Sequence, residues 1–132
     1  MSWDVLIFNL KCKVDKVEEI NDSILVDIGT KANFKKIMTD NFQNITWKNG
    51  WGKVEGKDFS IEFSLGDAEG LFSNTIFNLY GENAIYAVIE LCKKMNWQLY
   101  DTGLEQMIDL DKPDRNGYKN HQAYVRYTLN GQ

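Results

Sequence analysis

The chain has 132 residues, 43% of them hydrophobic and 26% charged, with a formal net charge of -4. That length supports one hydrophobic core without disulfide or metal staples, and the aromatic and apolar content excludes a disordered polar chain. The negative charge repels nucleic acid at long range unless basic residues gather on one face.

No such gathering is visible in the chain, because acids interrupt Lys11, Lys13 and Lys16, while Lys93 with Lys94 reads as a helix end. No nucleic-acid partner is therefore expected. No apolar run approaches the roughly 20 residues of a membrane-spanning helix, and Asp4 stands where a secretory signal would carry positive charge. A cytoplasmic location without a membrane partner is the expectation. Cys12 and Cys92 are too few and too far apart for a disulfide framework or a zinc site, so both are read as free thiols.

Trp3 to Leu10 has apolar residues on both alternating faces, the pattern of a central strand covered on two sides. A polar connection leads to a short β-branched run, Ile24 to Ile28. Phe34, Ile37, Met38 and Phe42 then recur at helical spacing behind Thr30, which suits a helix cap. From Trp51, two antiparallel strands are predicted, joined at Glu55 to Asp58. Gly56 falls at the first central position of a type II′ turn. In the second strand Ser60, Glu62 and Ser64 form a polar face for water or a partner.

A third run, Thr75 to Tyr80, ends at Gly81. Ile85, Val88, Ile89, Cys92 and Met95 mark a second helix, with Glu82 at its positive end, Lys93 and Lys94 at its negative end, and Asn96 placed to stop it. Trp97 to Asp101 resumes as a strand with Trp97 in the core. The order βαβββαβ predicts a two-layer α+β fold, a mainly antiparallel sheet of about five strands covered by two helices. A single domain spans 1–132, in which 113–132 reads as a polar loop plus a short terminal element, helix or strand.

Four blocks carry a resemblance: SWDVLIF at 2–8, WGKVEG at 51–56, DFSIEFSLG at 58–66 and NWQLYDT at 96–102. In their order and spacing the chain resembles an uncharacterised family of small bacterial cytosolic proteins that begin with a Trp-Asp-Val type strand. The resemblance covers most of the chain up to Pro113, and QAYVRY at 122–127 resembles a family segment expected to be helical. It implies an α+β fold and bacterial origin, and no reaction. At FNLYG, 77–81, where those relatives carry a His-Val-Arg-Gly-like segment, Asn78 stands in place of the imidazole.

Catalytic constellations are weak. His121 is the single histidine and lies in the polar tail, where it reads as a surface residue. Cys92 falls on the buried stripe of the second helix, and Cys12 has no acid-base partner nearby in sequence. The glycines of NGWGKVEG precede a strand, whereas a phosphate loop leads into a helix. Neither Ser60 nor Ser64 sits on a nucleophile elbow. No catalytic residue, metal or cofactor is assigned.

The remaining resource is acidic: Glu62 on a strand face, and Asp101, Glu105, Asp109, Asp111 and Asp114 toward the carboxyl end. Trp47 and Trp51 flank a turn, closing the core or anchoring a partner. These features lead to the expectation of a non-enzymatic protein-binding module, an immunity or accessory factor for a basic protein. Its candidate contact residues are Trp47, Trp51, Glu62, Asp101, Glu105, Asp109 and Asp111. Two alternatives stand beside it: a small enzyme with a carboxylate site at Glu62 and Asp101, and a homo-oligomeric structural subunit. The chain is expected to be a monomer or small homo-oligomer.

Overall fold

The computed structural model describes residues 3–48, 50–65, 70–81 and 83–111. In chain order the elements are β1 (Trp3–Phe8), a 3-10 turn at Val17–Glu19, α1 (Lys31–Asn41), β2 (Ile45–Lys48), β3 (Trp51–Gly56), β4 (Phe59–Ser64), β5 (Asn74–Tyr80), α2 (Ala84–Met95), β6 (Gln98–Asp101) and β7 (Gln106–Met107). The strands form one sheet in the order β2-β3-β4-β5-β1-β6-β7, with every neighbouring pair antiparallel. The α+β class and the antiparallel sheet agree with the sequence pattern, but the sheet has seven strands rather than about five.

The two additional strands are the shortest at the sheet edges. β2 holds one aromatic between Thr46 and Lys48, and β7 is two residues long. Neither offers enough alternation to stand out from a loop. β2 is fixed by tertiary packing, since Trp47 lies opposite Gly52 and sets its ring edge-on to Phe63 at 5.5 Å. A Cβ on Gly52 would come within 2.6 Å of the Phe63 ring and 2.9 Å of the Trp47 ring. Glycine there is what lets both rings close over the strand.

The β3–β4 hairpin is shifted by one residue from its predicted turn. Gly56 pairs with Phe59, leaving Lys57 and Asp58 as the connection, and the left-handed backbone falls on Asp58 at φ 64°. Asp tolerates this conformation better than most side chains. Gly56 serves packing instead, because an added Cβ would run into the Phe59 ring.

Both helices arise as their patterns imply. Thr30 caps α1, its hydroxyl accepting from Asn33 N at 3.2 Å while Asn33 Oδ1 accepts from Thr30 N at 3.2 Å. α2 ends at Asn96, which is left-handed at φ 60°, with Lys93 and Lys94 in the last turn. Glu82, read as its amino-terminal charge, lies outside the described residues. The helices cover one sheet face: Phe34 and Met38 of α1 and Ile85, Val88, Ile89 and Cys92 of α2 are buried against Val5, Ile7, Ile61, Phe63, Phe77 and Leu79. Phe34 is the hub, edge-on to Phe63 and Phe77 and stacked on Trp97 at 6.2 Å. Trp97 is 3% exposed, the core position its spacing suggests.

On the opposite face a second, smaller cluster forms. Phe8, Leu10 and Val14 are buried there, with Leu6, Ile20, Ile24, Leu25, Tyr100 and Met107 packed around them. The long segment after β1 thus folds back across the sheet, which gives β1 its cover on both sides. Within that segment Leu25 of the Ile24–Ile28 run makes an isolated bridge to Leu10, and Gly29 just beyond it one to Phe72, but the run forms no strand. Among the described residues this cluster does not extend over the rest of the face, on β3, β4 and β5, termed the open face.

Candidate functional site

Side-chain parity across the sheet decides which sequence candidates can act together. Val54 pairs with Ile61, Ile61 with Leu79, Trp3 with Leu79, and Val5 with Asp101, so the Asp101 side chain shares the helix-covered face. Glu62 pairs with Lys53 and Asn78, and Asn78 with Asp4, all on the open face. Glu62 and Asp101 therefore point to opposite sides of the sheet, and the convergence on one face expected of them does not occur. Asn78 donates from Nδ2 to Asp4 Oδ1 at 2.7 Å within this polar row.

Asp101, a candidate contact residue in the sequence, is 1% exposed and so closed to a partner. Its burial follows from the register of β6, and its task is local. Oδ1 accepts from Gly103 N at 2.9 Å and Leu104 N at 3.1 Å, which folds the turn between β6 and β7, while Oδ2 is buried with no hydrogen-bond partner among the described residues. Trp47 and Trp51 also separate. Trp47 packs on the main core beneath the Lys35 ammonium, 5.4 Å from its ring centroid, and Trp51 belongs to the open face opposite Ser64. From β3 to β7 the sheet spans about 24 Å at the usual strand spacing. The tryptophans and the carboxyl-terminal acids thus sit at opposite edges.

Of those acids, Asp109 accepts from Asp111 N at 3.0 Å in a local turn, and Asp114 lies outside the described residues, as do His121 and the 120–132 segment. Glu105 is different. It is exposed in the β6–β7 turn, held in the left-handed region at φ 56°, and faces the 3-10 turn of the segment folded over the second sheet face. That turn is fixed by Glu19, whose Oε1 accepts from Lys16 N at 3.0 Å and Asp15 N at 3.3 Å. With Glu19 consumed locally, the exposed Asp15 and Glu18 join Glu105 around a groove of about 570 Å³, whose other lining residues are Lys16, Val17 and Gln106.

Tyr100 of β6 lies within electrostatic reach of Glu105 and Glu18. Partial burial raises its phenol pKa above the ordinary value, and the charges of Glu105, Glu18 and Asp101 raise it further. Like charge disfavours the phenolate, so residues distant in the chain act on one oxygen. Among the described residues no three His, Cys, Asp or Glu side chains converge closely enough to hold a metal ion. The groove's three carboxylates can instead accept hydrogen bonds from the cationic head of a long side chain.

The thiols behave as their positions dictate. Cys12 is exposed, and Cys92 is buried on α2, where burial pushes its pKa up to about 12. A thiol so raised is not a nucleophile at neutral pH.

No family model, curated protein or solved structure matches the chain. The contributions of Asp15 and Glu18 were missed in sequence because they sit in a mixed-charge stretch, KCKVDKVEE, that gives no sign of which acids remain free. The partial signal was Glu19 placed three residues after Lys16, a helix-start spacing.

Proposed function

We propose that this protein is a non-enzymatic protein-binding module, of the immunity or accessory-factor kind, that engages a basic protein through the groove between the Val17–Glu19 turn and the β6–β7 turn. The observation that carries this reading is that Asp15, Glu18 and Glu105, brought together from two separate turns, line one groove. Three carboxylates against Lys16 leave the groove negative. An arginine or lysine entering it gains charge-assisted hydrogen bonds, and the field outside it accelerates encounter with a basic partner. A basic partner also fits the net charge of -4.

The test is affinity capture from the native organism at low and moderate salt, with wild type and a Glu18→Gln/Glu105→Gln variant as baits. A single basic protein should be recovered stoichiometrically by wild type, less at moderate salt, and poorly by the variant. Recovery of no stoichiometric partner, or equal recovery by both baits, removes the proposal.

A further inference from the structure

The loop leaving β1 runs Leu10, Lys11, Cys12, Lys13, Val14, so its apolar and basic residues alternate. Gln98 at the start of β6 clamps this loop: Nε2 donates to the Cys12 carbonyl at 2.8 Å, and Oε1 accepts from Val14 N at 3.0 Å. Held this way, the loop turns Leu10 and Val14 inward and presents Lys11 and Lys13 outward beside the last turn of α2. The result is a cavity of about 380 Å³ with Leu10, Val14, Trp97 and Ile108 among its lining and Lys11, Lys13 and Lys93 at its rim.

The lysines that looked scattered in sequence are therefore gathered in space. All three are exposed, and none forms an ion pair among the described residues. Opposing them are Asp111, which also lines the cavity, and the carbonyl end of α2 near Asn96, equivalent to about half a negative charge. Among the described lining residues three positive charges outweigh these, which makes the rim a positive site on an acidic protein. Lined by apolar side chains and rimmed by cations, the cavity has the size and chemistry of a small-molecule site.

We propose that this cavity binds a small organic anion, a carboxylate or phosphate head held by Lys11, Lys13 and Lys93 with an apolar body lying over Trp97 and Ile108. The site is separate from the acidic groove, which uses the other end of the same segment. Exposed Cys12 lines the cavity and Cys92 is buried, so alkylation of Cys12 at neutral pH reads occupancy with little interference from the second thiol.

Three probes divide the recognition: octanoate carries head and body, octan-1-ol the body alone, and inorganic phosphate the charge alone. Each is titrated into the full chain while amide shifts and the rate of Cys12 alkylation are followed. Octanoate should saturate one site, shift amides of residues 10–14, 93–98 and 107–110, and slow alkylation. Its affinity should fall about tenfold in a Lys11→Gln/Lys13→Gln/Lys93→Gln variant, or for wild type on raising the salt tenfold, a change of about 1.4 kcal/mol. The salt arm stands by itself if the variant does not fold. Shifts centred elsewhere, absence of saturation, or octanoate affinity unchanged by both perturbations would overturn the proposal. Octan-1-ol binding as tightly as octanoate would refute the anionic head, and phosphate doing so would refute the apolar body.

Discussion

Replacing Asp101 by alanine removes the side-chain acceptor that folds the β6–β7 turn, leaving the Asp4 carbonyl, which accepts from Thr102, to tie the turn to β1. Two backbone N–H groups, on Gly103 and Leu104, lose a carboxylate oxygen at 2.9 and 3.1 Å. Hydrogen bonds to a charged acceptor contribute about 1.5 to 3 kcal/mol each, and the orphaned Oδ2 has a desolvation cost that its removal relieves. The net loss should be about 2 to 4 kcal/mol in urea unfolding. Asparagine keeps an oxygen at the Oδ1 position and should lose less, about 1 kcal/mol. Amide exchange at Gly103 and Leu104 should accelerate in the alanine variant and far less in the asparagine one. An alanine variant within about 0.5 kcal/mol of wild type, or an asparagine variant as unstable as alanine, would refute the assignment of Asp101 to the turn.

Phe34 at the aromatic hub should cost about 3 to 5 kcal/mol on truncation to alanine, and Trp47, half-buried at the sheet edge, should cost less; equal losses by denaturant unfolding would place Trp47 in the central core. Cys92 gives a pH signature. Its folded pKa of about 12 lies above the 9.0 of a solvated thiol, so the neutral thiol favours the fold below pH 9 and that contribution is lost as pH rises toward 12. The wild-type profile should fall about 1.4 kcal/mol per pH unit more steeply than that of a Cys92→Ala variant in that window; parallel profiles for the two proteins would contradict the burial.

Much of the fold was legible because periodicity and chemistry agreed locally. α1 and α2 combined a 3.6-residue stripe with Thr30 at one start and Asn96 at one end, and β1 alternated on two apolar faces that both find cover. Gly56 misled by one position because glycine has two uses, left-handed turns and close packing, and here Phe59 required the second. β2 depended on Trp47 meeting Gly52 and Phe63 across strands, which no local window contains.

The sites were harder to read than the fold. Whether Glu62 and Asp101 share a face depends on register carried through β5 and β1, and one residue of parity puts them on opposite sides. The acidic groove and the basic cavity both come from the segment after β1 folding back across the sheet. That path brings Glu18 to Glu105, and Lys11 and Lys13 to Lys93, neighbours that sequence distance conceals.

The central claim is that the Glu18–Glu105 groove accepts a cationic side chain next to Tyr100. A spectrophotometric titration of the Tyr100 phenol at low salt, against a Tyr100→Phe blank, tests it with and without a tetra-arginine peptide, whose guanidinium groups stay charged through the titration. The account predicts a raised pKa that the peptide lowers in wild type and leaves nearly unchanged in Glu18→Gln/Glu105→Gln. A Tyr100 pKa indifferent to the peptide in wild type would contradict it.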